Sequence, residues 1–176
     1  MPDKILVTYA SRTGSTAGIA EAIGAVLSES GEQVEVLPME AVNDLTQYRA
    51  VVAGSAIRGG QWLPEAMEFV QRHQRTLKRI PFAPFLVCIT MSMESDKARE
   101  HVQSWLQPVR KLVRPVAEGY FAGILNPALL PKLSFSTLGL RIALALGIWK
   151  PGDHRDWITI RAWAKGLPAK FAAATA

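Results

Sequence analysis

Short apolar runs alternate with helical patterns along most of the chain, and this alternation constrains the fold more than any other feature. Five runs predict strands, at residues 4–10, 33–38, 50–55, 84–90 and 117–123. The first, third and fourth are almost continuously apolar, as strands covered on both faces are. Four helical patterns lie between or after them, at residues 16–30, 63–78, 95–113 and 157–173. The pattern predicts an α/β domain with an open parallel sheet and helices on both faces.

Two helix starts and two interruptions are visible in these patterns. Ser95 and Asp156 precede helical runs as capping residues do. Pro108 and Pro168 fall inside predicted helices, where proline removes a donor and bends or ends the helix.

Residues 124–156 interrupt the alternation with a connection far longer than usual between a strand and a helix. We expect residues 1–176 to form one domain that carries this stretch as an insertion. Its apolar part, residues 138–149, is shorter than the about 20 residues that span a bilayer, and Arg141 interrupts it. Two interpretations stay open. The segment is either a core or homodimer-interface helix, or it lies on a membrane surface with basic side chains facing anionic headgroups, namely Lys132, Arg141, Lys150 and Arg155.

Charge and cysteine content narrow the partners and the compartment. The net charge is +5; residues 1–88 carry eight Lys/Arg against nine Asp/Glu, and residues 89–176 carry twelve against six. A basic second half suits an anionic membrane surface or an acidic ligand, and without a nucleic-acid motif we expect no nucleic-acid partner. The single cysteine, Cys88, excludes an intramolecular disulfide, and its apolar surroundings predict a buried thiol. We expect a cytoplasmic protein, or a peripheral one on the cytoplasmic face of a membrane.

A cluster of hydroxyl side chains follows the first predicted strand, in SRTGST at residues 11–16. Ligands of open parallel sheets bind beyond the carboxyl ends of the strands. A helix N-terminus there offers free N–H groups, the hydroxyls add donors, and Gly14 lets the backbone turn close to an anion. Because GxxxxGK[ST] and GxGxxG are both absent, a single phosphomonoester is favoured. The alternative is an ordinary helix capped by Thr13 or Ser15.

Two further loops follow strand ends at the same predicted edge. SAIRGGQW occupies residues 55–62, and TMSMES occupies residues 90–95. Together with the hydroxyl cluster they outline a site for a flat ligand with a phosphate tail.

The sequence Ser11-Arg12-Thr13-Gly14-Ser15-Thr16 matches the pattern [ST]-x-T-G-x-T, and on this motif the chain resembles the flavodoxin family. The resemblance implies a five-stranded sheet of order 2-1-3-4-5 and FMN as the cofactor. It implies that these six residues hold the FMN phosphate. It also implies that two loops flank the isoalloxazine ring, made of Ser55, Ala56, Ile57, Arg58, Gly59, Gly60, Gln61, Trp62, and of Thr90, Met91, Ser92, Met93, Glu94.

Within that family, four features resemble the menaquinone-dependent protoporphyrinogen IX dehydrogenases and their flavodoxin-domain relatives: SAIRGG, GYFAG, the insertion, and GDHRDW before the last helix. This resemblance implies an FMN-dependent oxidoreductase of haem biosynthesis, with a porphyrinogen as substrate and a quinone as acceptor. The alternatives are an electron-transfer flavodoxin and a quinone reductase without porphyrinogen activity.

Arg58 and Gly59 are the candidate catalytic residues. A backbone amide at Gly59 or Gly60 would move near flavin N5, or the two glycines only form a tight turn. Trp62 either stacks on the ring or belongs to the core. Arg58 either balances the charge of reduced flavin or binds a propionate, or it is a solvated surface residue.

The histidines fall into two groups. His73 and His101 lie in helical patterns and are expected at the surface, whereas His154 precedes the last helix beside the insertion and is the one to test. No spacing of Cys, His or acidic residues indicates a metal site or a nucleophilic triad.

Overall fold

The fold comes from a computed structural model that describes residues 2–129 and 135–175. Its strands are β1 (Lys4–Ala10), β2 (Gln33–Pro38), β3 (Tyr48–Arg58), β4 (Gln61–Trp62), β5 (Phe82–Val87), β6 (Gly119–Phe121), β7 (Ile124–Leu125) and β8 (Gly152–Asp153). Five of them form a parallel sheet of order β2-β1-β3-β5-β6. This confirms the predicted order 2-1-3-4-5, since β4 pairs only with the end of β3.

Helices cover both faces of the sheet. They are α1 (Ser15–Glu29), α2 (Pro64–Arg72), α3 (Gln74–Leu77), α4 (Asp96–Ser104), α5 (Gln107–Leu112), α6 (Phe135–Ala145), α7 (Trp157–Lys165) and α8 (Leu167–Thr175). Side chains alternate between faces along a strand. Accordingly Ile5 and Val7 of β1 pack with α1, α7 and α8, while Leu6 packs with the helices of the α2–α5 side.

Three predicted helices are each divided in two. The pattern at residues 95–113 becomes α4 and α5, and Pro108 lies in the first turn of α5, where its missing N–H costs nothing. The pattern at residues 157–173 becomes α7 and α8, divided at Gly166 just before Pro168. The third, at residues 63–78, is interrupted at His73. The interruptions expected at the two prolines are confirmed.

The two ends of the insertion pair with each other, and the helix between them exposes apolar side chains. β7 and β8 pair antiparallel, Ile124 with Asp153 and Leu125 with Gly152, so its two ends meet. Four large apolar side chains of this segment are 51–69% exposed: Leu138, Ile142, Leu146 and Ile148. They do not pack into the core, so the core-helix interpretation is wrong for them. Lys132 lies outside the described residues. Among the helices described, none has the length and apolarity to cross a membrane.

Candidate functional site

The hydroxyl loop turns at Gly14, between the end of β1 and the start of α1. Gly14 has φ +83°, the left-handed region that glycine enters without cost, and its N–H donates to Ser11 Oγ at 3.2 Å. The N-cap residue of α1 is Gly14, and no side chain of the described residues caps the helix, so the capping alternative for Thr13 and Ser15 is wrong. The first-turn N–H groups of α1 are therefore left for another acceptor.

Thr16 supplies the clearest fit to a phosphate. Its side chain is 1% exposed, and its Oγ1 has no hydrogen-bond partner in the part of the chain that the structure describes. A buried hydroxyl without a partner is costly, and a phosphate oxygen would satisfy it. The hydroxyl lies in the first turn of α1, where the helix dipole favours an anion. The residues present thus fit a phosphomonoester such as that of FMN.

Ser15 and Arg12 connect the loop to the rest of the site. Ser15 Oγ accepts from the N–H of Ile124 at 3.0 Å, which joins the loop to the start of the insertion. Arg12 forms a two-bond ion pair with Glu65, one bond measuring 2.9 Å, in the first turn of α2. Burial raises the pKa of Glu65, but the hydrogen bond from Arg12, a backbone hydrogen bond and the charge of Arg12 together outweigh burial, so the pKa lies below its usual value. The charge of Arg12 is therefore already balanced, by a partner 53 positions away that no local pattern indicates.

The second loop, residues 55–62, forms a tight β-hairpin. Ile57 pairs with Trp62 and Arg58 with Gln61. The turn residues Gly59 and Gly60 have φ of +57° and +73°, and positive φ at both positions is what a type I′ hairpin turn requires. The two glycines therefore form the tight turn, and Arg58 is exposed beside it.

Two residues predicted to flank the ring lie beneath this hairpin. Trp62 is 4% exposed and belongs to the core cluster, so the core alternative is favoured over stacking on a ring. Ser55 is fully buried; its Oγ accepts from Leu63 N at 3.0 Å and donates to Ala56 O at 2.8 Å, holding the base of the hairpin. The indole of half-buried Trp105 lies against the hairpin instead, since a Cβ at Gly60 would be 3.1 Å from its Nε1.

The third loop, residues 90–95, borders two adjoining clefts. Residues 89–92 form a 3₁₀ turn, and Ser95 caps α4 by accepting from Ala98 N at 3.4 Å, as predicted. The first cleft, which we name the insertion cleft, has a volume of about 380 Å³ and lies between residues 92–95, residues 148–150 and His154. The second cleft, which we name the edge cleft, has a volume of about 390 Å³ and lies beside β6. Met91, Gln103, Tyr120 and Thr159 are among the residues that line it. The third loop thus meets the insertion, as a substrate site would require.

His154 lines both clefts and is held at two points. Its backbone N–H donates to Gly123 O at 3.1 Å, and its Nε2 lies 2.7 Å from Lys150 O. A carbonyl oxygen only accepts, so Nε2 carries the proton and donates. In the neutral ring Nδ1 is then the nitrogen that can accept a proton.

The remaining histidines and the cysteine lie elsewhere. His101 is exposed as predicted, but His73 is 9% exposed, so its expected surface position is wrong. Its ring packs 4.8 Å from Phe69, and burial lowers its pKa. Cys88 is buried as predicted, and desolvation raises its pKa to about 11, which excludes a reactive thiolate at neutral pH.

Arg155 packs against the rest of the chain at the end of the insertion and does not face outwards. It pairs with Asp153 at 2.6 Å, lies 4.4 Å over the ring of Trp157, and its Nη1 would be 2.7 Å from a Cβ at Gly18 of α1. Hydrogen bonds from Arg155 lower the pKa of Asp153 to about 2. The expectation that Arg155 serves anionic headgroups is therefore wrong, because the pairing and the packing on α1 engage its charge.

Comparison with known proteins agrees with this geometry. Residues 6–135, more than half of the 176-residue chain, match the family model of the flavodoxin domain. Protoporphyrinogen IX dehydrogenase [quinone] of Escherichia coli K12 is 31% identical over 86 residues, which is 48% of this chain and 48% of that protein. The matched stretch thus spans about half the length of the curated relatives.

Solved structures support the fold alone. A flavodoxin of Streptococcus pneumonia TIGR4 has a TM-score of 0.57 at 16% identity, covering 95% of this chain and 99% of that one. Flavodoxin 2 of Bacillus cereus has a TM-score of 0.51 at 21% identity, covering 97% and 99%. At such identities the shared feature is the arrangement of the sheet and helices.

Proposed function

Because the chain belongs to the flavodoxin domain family, we propose that it is an FMN-dependent oxidoreductase that oxidises protoporphyrinogen IX to protoporphyrin IX with a quinone as acceptor, a step of haem biosynthesis. The observation that carries the proposal is the pair of clefts that border the third loop, one of them formed with residues 148–150 of the insertion. A flavodoxin that only carries electrons needs an exposed flavin edge and a docking face, whereas an enzyme needs a pocket. The partial likeness to the E. coli enzyme supports the choice of substrate and acceptor.

FMN is the cofactor that the family and the hydroxyl loop imply. We propose that its phosphate contacts the first-turn N–H groups of α1 and the hydroxyls of Ser11, Thr13 and Thr16. When bound, FMN supplies a redox centre that takes up electrons from one substrate and releases them to another. The ring would lie between the second and third loops, with Arg58 balancing negative charge and the Gly59 amide within reach of the ring.

The chain's own side chains position the substrates and handle protons. Oxidation of the porphyrinogen to the porphyrin releases six electrons and six protons, and three quinones take them up to become three quinols. We assign His154 Nδ1 to proton transfer in the clefts, because its other ring nitrogen is occupied by Lys150 O. Apolar walls such as Met91, Met93 and Phe121 exclude water around the reacting rings.

We further propose that α6 lies on an anionic membrane surface. Leu138 and Ile142 of α6 and Leu146, the residue after its end, recur every four residues and are all exposed, which places them along one stripe. Residues 119–152 contain no Asp or Glu, while Arg141 and Lys150 are exposed. An apolar stripe in a segment whose charged side chains are all cations matches a lipid surface with negative headgroups. The alternative is that the stripe forms the interface of a homodimer.

We also propose that residues 1–176 act as one domain, with the insertion as part of the active site. Three contacts support this: the β7–β8 pair, the Ser15–Ile124 hydrogen bond and the packing of Arg155 on α1. The first joins the two ends of the insertion to each other, and the other two join the insertion to the hydroxyl loop and to α1.

An anaerobic assay tests the proposed function. The FMN-loaded protein is mixed with protoporphyrinogen IX and menadione, and porphyrin fluorescence is followed with FMN or menadione omitted in turn. We expect porphyrin to form only when both are present. If menadione oxidises the dithionite-reduced protein but no porphyrin forms, the chain is a quinone reductase. If neither reaction occurs while FMN is bound and reducible, it is an electron carrier.

A further inference from the structure

We infer that the insertion cleft binds the ring of the electron acceptor, a flat conjugated molecule with ring oxygens, and that Trp149 donates a hydrogen bond to one of them. This inference rests on the proposed function. It adds where the electron acceptor of that reaction binds and which side chain contacts it. Neither the family match nor the partial relatives assign a role to residues 148–150, which lie beyond the 6–135 stretch of the family match.

Trp149 lines the cleft and carries a donor that the described residues leave unused. Its Nε1 is buried and has no hydrogen-bond partner within the described parts of the chain, and Trp149 lines the cleft. An indole N–H donates only, so the group that satisfies it must carry an acceptor atom. A buried donor left without an acceptor is unfavourable, which makes an oxygen-bearing ligand the natural occupant.

The other walls describe the rest of that ligand. Met93, Ile148 and the Trp149 ring give apolar surface for a flat ring, and a volume of about 380 Å³ falls in the usual range of ligand pockets. Lys150 places a cation at the rim, and Glu94 is the acidic residue on the facing loop. A ring whose oxygens gain negative charge on reduction is favoured beside the ammonium group.

Proton supply and access both agree with a quinone. A quinone that takes up two electrons and two protons becomes a quinol, with the electrons supplied by the reduced substrate of the proposed reaction. His154, also in the cleft wall, can pass protons from solvent. The cleft adjoins Ile148, which continues the exposed apolar residues of α6, so a lipid-borne acceptor can reach it from a membrane surface.

The test is a binding measurement on the FMN-loaded, oxidised protein with menadione as the probe, by isothermal titration calorimetry. Trp149→Phe keeps the aromatic surface and removes the N–H, so we expect the Kd for menadione to rise about tenfold, as for the loss of one hydrogen bond. Trp157→Phe is the matched control, because Trp157 packs against Arg155 away from the cleft. It should change that Kd less than about twofold, and both variants should keep the wild-type Tm and FMN affinity.

The outcomes separate this inference from the proposed function. If Trp149→Phe binds menadione as tightly as the wild type does, or the wild type does not bind it, the inference is overturned even where porphyrinogen is oxidised. If menadione binds through Trp149 but no porphyrinogen is oxidised, the acceptor site stands and the proposed donor substrate is wrong.

Discussion

At the scale of single residues, Thr16 is the side chain that reports most directly on a bound phosphate. Replacing it by valine keeps its shape and removes the unpartnered Oγ1. We expect Thr16→Val to raise the Kd for FMN about tenfold, since a hydrogen bond to a charged group is worth about 1.5–3 kcal/mol. The free protein should lose no stability, because the buried hydroxyl it loses had no partner. FMN fluorescence quenching and thermal unfolding measure the two effects.

Thr8 provides the matched control for that prediction. It is a fully buried threonine whose Oγ1 also has no partner among the described residues, but it lies within β1 rather than in the loop. Thr8→Val should leave the Kd for FMN within about twofold of the wild type. Equal losses in both variants would mean that Thr16 contributes only to packing.

Gly14 and Gly31 form a second matched pair. Their φ values are +83° and +88°, and a Cβ at either position would meet nothing within 4 Å. Alanine at each should therefore cost a similar backbone strain, about 1–2 kcal/mol in urea unfolding. We expect only Gly14→Ala to weaken FMN binding, because Gly31 follows the far end of α1. An unchanged Kd in Gly14→Ala would contradict the assignment of the loop.

Residue roles were predictable where they depend on the local chain and not where they depend on distant contacts. The hydroxyl cluster and the turn at Gly14 follow from the motif. That Ser15 accepts from Ile124, and that Arg12 pairs with Glu65, depends on residues 109 and 53 positions away. Trp62 was ambiguous for the same reason, since stacking and burial require the same residue type.

At the scale of elements, the β3–β4 hairpin predicts unequal effects of two neighbouring glycines. Gly59→Ala introduces strain from positive φ alone, whereas Gly60→Ala adds a Cβ 3.1 Å from the Trp105 indole. We expect Gly60→Ala to lower the Tm more than Gly59→Ala does. Repeating both in a Trp105→Leu background should remove most of the difference, as a double-mutant cycle would report. If the difference persists there, Trp105 is not its cause.

The apolar stripe of α6 gives a prediction about lipid binding. Leu138→Glu/Ile142→Glu replaces two half-exposed side chains, so we expect little change in Tm and at least a tenfold loss of binding to anionic phosphatidylglycerol vesicles. Ile158→Glu is the control, because Ile158 is 83% exposed but lies on α7. Vesicle sedimentation measures the binding.

Two results would contradict the membrane proposal. One is unchanged vesicle binding in the double variant. The other is a wild-type dimer in analytical ultracentrifugation that the double variant dissociates, with no vesicle binding by either protein, which would assign the stripe to a dimer interface.

Elements with strong periodicity were predictable, and short or contact-dependent ones were not. β1 and β2 have the predicted bounds, and Asp156 caps α7 by accepting from the N–H groups of Ile158 and Thr159 as expected. β7 and β8 have two residues each, too few for any periodicity to show. They form because two segments about 28 positions apart meet, which no local pattern records.

At the scale of the whole molecule, the hydroxyl loop and the two clefts are both held by the insertion. The start of the insertion bonds to Ser15, and its end bonds through His154 to Gly123. The family and the cofactor could be predicted because the motif is continuous in the chain. The clefts could not, because their walls come from segments more than 50 residues apart.

The central claim is that the loop at residues 11–16 holds the phosphate of FMN and thereby places the ring beside the clefts. Titration of the flavin-free protein with FMN and with riboflavin, which lacks the phosphate, tests it most directly. We predict one FMN per chain and riboflavin binding weaker by at least about 100-fold, which is the loss expected for only two of the proposed charged hydrogen bonds. Equal affinity for the two flavins would contradict the claim.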